Sequence, residues 1–234
     1  MPLLSLNPPP KIITFDCYGT LVQWHQAMRH AVRAILGGWR QADASNDRVA
    51  AVSDRLREIA GQRQQHRFFQ DYKAILQCSL DQALSEAGYL ATSAAFETLI
   101  ATLSEIAPHR EVPFALARLR ERYRIAIISN TADDLIVGTV RAIGTPIDFV
   151  ITAEQAHAYK PDHRLFLHAY SVMGVAKEET VHVGMGQFTD LKVCRELGVQ
   201  SIWIDRVGEP LNPDWTPDAV LPDLSGLPEL LLRR

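Results

Sequence analysis

Cysteine is scarce in this chain: Cys17, Cys78 and Cys194 are the only three, and no two of them form a C-x-x-C pair. That excludes the common zinc and dithiol motifs and leaves reduced packing residues as the expectation. A basic excess is also missing, because 24 Lys and Arg stand against 27 Asp and Glu, a formal net charge of −3. Nucleic-acid binding, which relies on clustered basic charge to meet phosphates, is therefore not expected. No apolar run approaches the roughly 18 residues that span a bilayer. Residues 1–10 have no basic residue before a Pro-Pro-Pro stretch, unlike a secretory leader. A cytoplasmic protein with no membrane or nucleic-acid partner is predicted. Internal repeats and low-complexity tracts are lacking as well.

What is present is an ordinary globular composition, 47% hydrophobic and 22% charged over 234 residues. Divided by a typical domain of about 150 residues, that length suggests one domain carrying an insertion. Short apolar runs at Ile12 to Phe15, Ile125 to Ile128, Phe149 to Thr152, Thr180 to Gly184 and Ser201 to Asp205 read as buried strands. Helical patterns lie between them: Leu135, Val140 and Ile143 before Gly144, Leu165 to Met173 before Gly174, and Leu191 to Leu197 before Gly198. This alternation predicts parallel crossovers and an α/β fold with a doubly wound parallel sheet. Ligands of such sheets bind at the carboxyl ends of the strands.

Residues 22–108 interrupt the alternation with helical spacing alone. Trp24, Ala27, Met28, Ala31 and Ile35 run to an expected stop at Gly37-Gly38. Val49, Val52, Leu56 and Ile59 repeat the pattern, Phe69 to Leu84 extend it before Gly88, and Phe96, Leu99, Ile100 and Leu103 close it. An α-helical cap inserted after the first strand is the expectation. The core would then be residues 11–21 and 109–208. Residues 209–234 hold five prolines to Pro228 and are expected to pack on the core without regular structure.

Four polar clusters stand at predicted strand ends: Asp16 with Tyr18-Gly19-Thr20, Ser129-Asn130, Lys160-Pro161-Asp162, and Asp190 closing Gly184-Met185-Gly186-Gln187-Phe188-Thr189. Each alone is a common strand-end feature, and a lone Ser-Asn is more often a helix cap. In this order, with 113 residues between the first two and about 30 between the later ones, they resemble the motifs of the haloacid dehalogenase superfamily. The resemblance runs from Lys11 to about Arg206 and implies a Rossmann-like core. It also implies that Asp16 is a nucleophile forming a covalent ester that water then hydrolyses. It further implies that Thr20 and Ser129 hydrogen-bond that carboxylate or its product, and that Lys160 keeps it ionised.

The departures from the phosphatases of that superfamily are informative. Where they place a second Asp to protonate the leaving alcohol, this chain has Tyr18, a poor acid at neutral pH. Where they place a magnesium-binding acid, it has Met185, which cannot serve a cation that demands oxygen. No metal and no cofactor is expected, Mg2+ included. A phosphate dianion beside Asp16 and Asp190 would face strong repulsion, whereas a halocarboxylate brings one charge and releases halide without a proton. The motifs look like those of the L-2-haloacid dehalogenases, which implies a small carboxylate substrate and a 2-hydroxy acid product. The same resemblance assigns Tyr18 to the pocket wall, and Asn130 with Ser129 to the substrate carboxylate or halide. It assigns Asp190 to the hydrolytic water, Gln187 to a position where the family has Asn, and a homodimer to the quaternary state. Phe166 stands where many members have Tyr. The resemblance also implies a substrate-binding cap arginine, for which Arg55 and Arg57 are the candidates, and either reads equally well as a solvated helix-face residue.

Other residues carry less. His182 between Val181 and Val183 reads as a hydrogen-bonded structural residue, and His157, His163 and His168 as surface groups. Trp24, Phe68, Phe69 and Tyr72 suit a helix-bundle core, and Cys17 should point away from Asp16 into packing. Three alternatives stay open: the same aspartyl chemistry with C–N ring opening of a strained carboxylate, a magnesium-dependent phosphatase, and a non-catalytic binding module, which the presence of Asp16, Ser129, Lys160 and Asp190 together disfavours.

Overall fold

The structure, a computed structural model, describes residues 9–232. In chain order its strands are β1 (Ile12–Phe15), β2 (Arg124–Ser129), β3 (Phe149–Thr152), β4 (Thr180–Gly184), β5 (Gln200–Ile204) and β6 (Ala219–Leu221). The helices are α1 (Trp24–Trp39), α2 (Asn46–Gln64), α3 (Tyr72–Glu86), α4 (Ser93–Leu103), α5 (Val112–Leu119) and α6 (Asp133–Ile143). They continue as α7 (Ala153–Ala156), α8 (His163–Met173), α9 (Lys192–Leu197) and α10 (Leu227–Leu232). Among the described residues no helix is long and apolar enough to cross a membrane.

The six strands form one parallel sheet in the order β3-β2-β1-β4-β5-β6. Every residue of β1 and β4 is buried, as continuous apolar strands covered on both faces must be. The chain winds outward from β1 in both directions, so the strand order reverses there. The carboxyl ends of β1, β2 and β4 consequently flank the crevice where a doubly wound sheet places its ligand. Asp162 caps α8 by accepting from Arg164 N, and Gly174 and Gly198 close α8 and α9 in the left-handed conformation.

The described residues fall into two compact units, the sheet with its helices and a helical unit built from residues 23–106 and 131–142. Within the helical unit, α1 turns Met28, Ala31, Val32, Ile35 and Leu36 inward, while α2 does the same with Val49, Val52, Leu56 and Ile59. Side-chain caps start the next two helices: Asp71 accepts from Ala74 N, and Thr92 from Ala95 N. The expected stop at Gly37-Gly38 does not occur, because α1 continues through both glycines to Trp39.

Two further features differ from expectation. Helix α6, placed by sequence in the core segment, clusters with the helical unit. Gly138 allows this: a Cβ there would lie 2.3 Å from the Ser104 carbonyl oxygen. Ile106 N donates to Thr139 Oγ1 at 3.3 Å, and Lys73 pairs with Asp134. The tail is also not irregular. Residues Ala219–Leu221 pair in parallel with β5, Asp218 accepts from Ser201 N at 2.7 Å, and α10 buries Leu227 and Leu231. A three-residue edge strand bracketed by Pro217 and Pro222 is too short to show periodicity, and only its partner strand makes it one.

In an open helix, Gly→Ala stabilises by about 1 kcal/mol. Gly138→Ala should instead destabilise by about 1–3 kcal/mol, because the methyl strikes a backbone oxygen. The urea midpoint decides the sign, and a stabilised variant would show that α6 does not lie against the Ser104 carbonyl.

Candidate active site

The backbone at the end of β1 keeps its ladder for one more residue, with Asp16 N donating to Val183 O at 3.0 Å. A tight turn then follows. Leu21 N and Val22 N both donate to Cys17 O, and Gly19 sits at φ +93, a conformation that disfavours any side chain. The turn sends Thr20 back under Asp16: Thr20 Oγ1 donates to Asp16 Oδ2 at 2.6 Å and accepts from Met185 N at 2.9 Å. Two side chains that sequence reasoning did not single out hold the turn from outside. His109 Nε2 donates to Gly19 O at 3.2 Å, and Arg206 Nη2 donates to Thr20 O at 2.7 Å while pairing with Glu111 at 2.6 Å. Burial, then the Arg206 charge, pushes the His109 pKa down. Arg206 follows the end of β5, and that position was its only sequence signal.

Lys160 reaches into this site from the segment between α7 and α8. Its ammonium donates to Asp16 Oδ1 at 2.8 Å, to Asp190 Oδ1 at 2.6 Å and to Ile128 O at 3.0 Å, which uses all of its N–H bonds. Asn130 fixes the backbone that carries it, accepting from Lys160 N at 2.7 Å and donating to Lys160 O at 3.1 Å. The expected contact of Asn130 with substrate is thus replaced, in these two bonds, by a clamp on Lys160.

Asp190 is enclosed, with no exposed surface. Its Oδ1 accepts from Lys160 Nζ and from His182 Nε2 at 3.1 Å, and its Oδ2 from Gly186 N at 3.0 Å and Thr189 Oγ1 at 3.1 Å. Each oxygen therefore already takes two donors, and no lone pair is left for the water-activating role expected of it. His182, passed over as structural, links that carboxylate to β1 through Thr14 Oγ1 at 2.9 Å from Nδ1. The Phe166 ring stands edge-on to it at 4.9 Å.

The two carboxylates that share Lys160 are pushed apart. At Asp190 burial favours the neutral acid, but the Lys160 charge and the His182 bond overcome it and the pKa falls. At Asp16 burial prevails over Lys160, Asp190 adds to it, and the pKa rises. Lys160 is held above the ordinary lysine range because the two carboxylates outweigh its own burial. Burial also pushes the Cys17 thiol up, as befits a packing residue. Environments that separate two acids in this way suit two acids with different roles.

The remaining expected residues have surroundings of their own. Ser129 is fully buried at the end of β2, and its Oγ has no hydrogen-bond partner among the described residues. A buried hydroxyl left unpaired costs about 1–3 kcal/mol, which a ligand oxygen would recover. Tyr18 is half-buried in the turn. The Gln187 amide is spent on the tail, donating to Pro210 O at 3.0 Å and accepting from Asn212 N at 2.7 Å. In the helical unit Arg55 is committed to Glu86 and Glu58. Arg57 pairs with Asp54 and lines a cavity of about 360 Å³ together with Trp24, Met28 and Tyr72.

Comparison with known proteins agrees with this fold. A family model described as haloacid dehalogenase-like hydrolase matches residues 10–198. The chain is 27% identical over 236 residues to (S)-2-haloacid dehalogenase 1 of Pseudomonas sp. (strain CBS-3), covering 96% of this chain and 98% of that protein. It is 33% identical over 121 residues to phosphoserine phosphatase of Thermus thermophilus, covering 50% of this chain and 47% of that protein. The structure of L-2-haloacid dehalogenase from Xanthobacter autotrophicus superposes with a TM-score of 0.82 at 20% identity, covering 95% of this chain and 98% of that one.

Opposite stability effects should follow from the two ends of the Lys160 bridge. Lys160→Met strands two buried carboxylates and should cost about 3–5 kcal/mol. Asp16 is raised above its ordinary 3.8, so its stabilising contribution is full below that value and lost as pH rises through the folded pKa. Asp16→Asn should accordingly melt at or above the wild-type temperature at pH 7, with no advantage at pH 3. Thermal unfolding across pH tests both, and an Asp16→Asn variant less stable at pH 7 would contradict the assigned shift.

Proposed function

We propose that this chain, which belongs to the haloacid dehalogenase-like hydrolases, is a metal-independent hydrolase of a small 2-substituted carboxylate. The substrate of this reading is an (S)-2-haloacid, attacked through a covalent aspartyl ester. The observation that carries it is the asymmetry of the two acids. Asp190 is locked by donors, whereas among the described residues Asp16 accepts from Lys160 and Thr20 alone and keeps a lone pair on each oxygen.

An Asp16 oxygen attacks the α-carbon, the carbon–halogen bond breaks with inversion, and halide leaves with its electron pair. No proton is needed, which agrees with Tyr18 in place of an acid. Water then adds to the Asp16 carboxyl carbon and the ester bond breaks. The 2-hydroxy acid departs with one water proton, the other is released, and Asp16 retains the water oxygen. Lys160 steadies the carboxylate before attack and again after hydrolysis. The free Ser129 hydroxyl suits an oxygen of the substrate carboxylate.

The donor set does not favour magnesium. Of the two acids only Asp16 has free oxygen lone pairs, and Met185 offers a thioether where a hard cation needs oxygen. The buried cluster, two carboxylates and one ammonium, already carries a net negative charge, so a monoanion approaches at lower cost than a phosphate dianion. Similarity over the (S)-2-haloacid dehalogenase of Pseudomonas is nearly full length, whereas that to the phosphoserine phosphatase covers half the chain.

Incubation with both enantiomers of 2-halocarboxylates, a strained cyclic carboxylate and a phosphate ester, each with and without EDTA, tests the proposal. Halide release from the (S) enantiomer should be insensitive to EDTA and fall by about a thousandfold or more in Asp16→Asn. A single turnover in heavy-oxygen water should place the label in Asp16. Phosphate release that requires magnesium would sink the reading, and amine release would redirect it to C–N cleavage.

A further inference from the structure

We infer that His182 is a positioning residue: through Asp190 it holds the Lys160 ammonium on Asp16, and the Asp190–His182 pair is an anchor, not the base for the hydrolytic water. The inference rests on the reading of Asp16 as nucleophile.

The argument begins with proton placement. Asp190 is ionised and only accepts, so the 3.1 Å contact to His182 Nε2 requires the hydrogen to reside on that nitrogen. The other nitrogen meets Thr14 Oγ1 at 2.9 Å, so β1 and the loop after β4 determine the ring plane together. His182 has no exposed surface, and the Phe166 edge closes one side of the ring. Such a ring is held in one orientation and can orient a neighbour rigidly.

The oxygen it orients is the one that matters. Asp190 Oδ1 receives His182 and Lys160 together, while Oδ2 is tied to Gly186 N and Thr189 Oγ1. With every acceptor position filled, the carboxylate cannot rotate, and the ammonium on it stays aimed at Asp16 at 2.8 Å. Without the His182 donor, Oδ1 regains a lone pair and the carboxylate gains a rotation. Lys160 then divides its attention, and Asp16 loses part of the positive charge that keeps it ionised. The charged and titratable groups facing this chain of contacts are Asp16, Lys160 and Asp190. The Cys17 and Cys194 thiols lie beside them and are kept protonated by burial.

Three substitutions separate positioning from packing. Gln places an amide N–H near the Nε2 position, whereas Leu fills the space without a donor, and Thr14→Val removes the hydroxyl that supports the ring, together with its 3.4 Å bond to Val181 O. With 2-halocarboxylate as substrate, His182→Leu should lower kcat by about 10–100-fold, the usual scale for orienting partners, with KM changed less than about threefold. The acid limb of kcat/KM should move to higher pH, because the attacking form of Asp16 is the carboxylate. His182→Gln should recover most of kcat and restore the limb, and Thr14→Val should fall between. A His182→Leu enzyme with wild-type kcat and limb, or a His182→Gln enzyme as poor as His182→Leu, overturns the inference.

A readout without turnover keeps the two readings separable. Nitrogen-15 spectra of the intact protein, assigned by the line missing in His182→Gln, should show His182 Nε2 bearing a proton, and that line should move in Asp190→Asn. An unprotonated Nε2 overturns the inference whatever the activity. A protonated Nε2 that moves in Asp190→Asn, in a chain that releases no halide, supports the anchor and overturns the functional reading alone.

Discussion

One buried ammonium holds the chemistry of this chain together. Lys160 sits between Asp16 and Asp190 with every N–H committed and almost no exposed surface. Two carboxylates this enclosed could not both remain charged without it, and the ammonium could not be buried without them. A triad of this kind contributes little to net stability, because removing three charges from water costs about as much as their attraction returns. Its value lies in geometry. One acid is committed to holding the cation, and the other is left raised in pKa with fewer donors on its oxygens.

The sheet makes that arrangement possible. Its strands are parallel and wound outward from β1, so the carboxyl ends of β1, β2 and β4 meet at one edge. Residues that are more than a hundred positions apart in the chain become neighbours there, which is why Thr14 can touch His182 and Met185 N can reach Thr20. The turn after β1 is then held on both sides. Thr20 holds it from within, and His109 with the Arg206–Glu111 pair holds its carbonyls from without. Membership of the haloacid dehalogenase-like hydrolases follows the same segments, since the matched region begins before β1 and ends after α9.

Much of this could be read in the residues, and the exceptions share a cause. Strands β1 to β5 announce themselves as apolar runs ending in polar residues, and the glycines after α8 and α9 mark their ends. Asp16, Thr20, Lys160 and Asp190 stand out because strand ends collect them in a recognisable order. Strand β6 was invisible, since three residues between prolines have no periodicity until β5 offers hydrogen bonds. Helix α6 looked like any crossover helix, and only the missing Cβ at Gly138 explains its approach to Ser104. Gln187 and Asn130 carry amides suited to a substrate, yet the first bonds the backbone of Pro210 and Asn212 and the second that of Lys160, partners distant in the chain.

The sequence by itself determined the fold class, the inserted helical segment and the identity of the acids and the cation at the strand ends. Those properties depend on local pattern and residue type, which a linear chain displays. Only the tertiary structure decided how many donors reach each of them. Whether an aspartate is reactive or inert depends on how many donors reach it and how much water is excluded, and both are set by distant parts of the chain. That is why Asp16 and Asp190 look alike in sequence and differ in the fold. It is also why His182, an unremarkable residue in a strand, becomes the partner of the site's most enclosed charge.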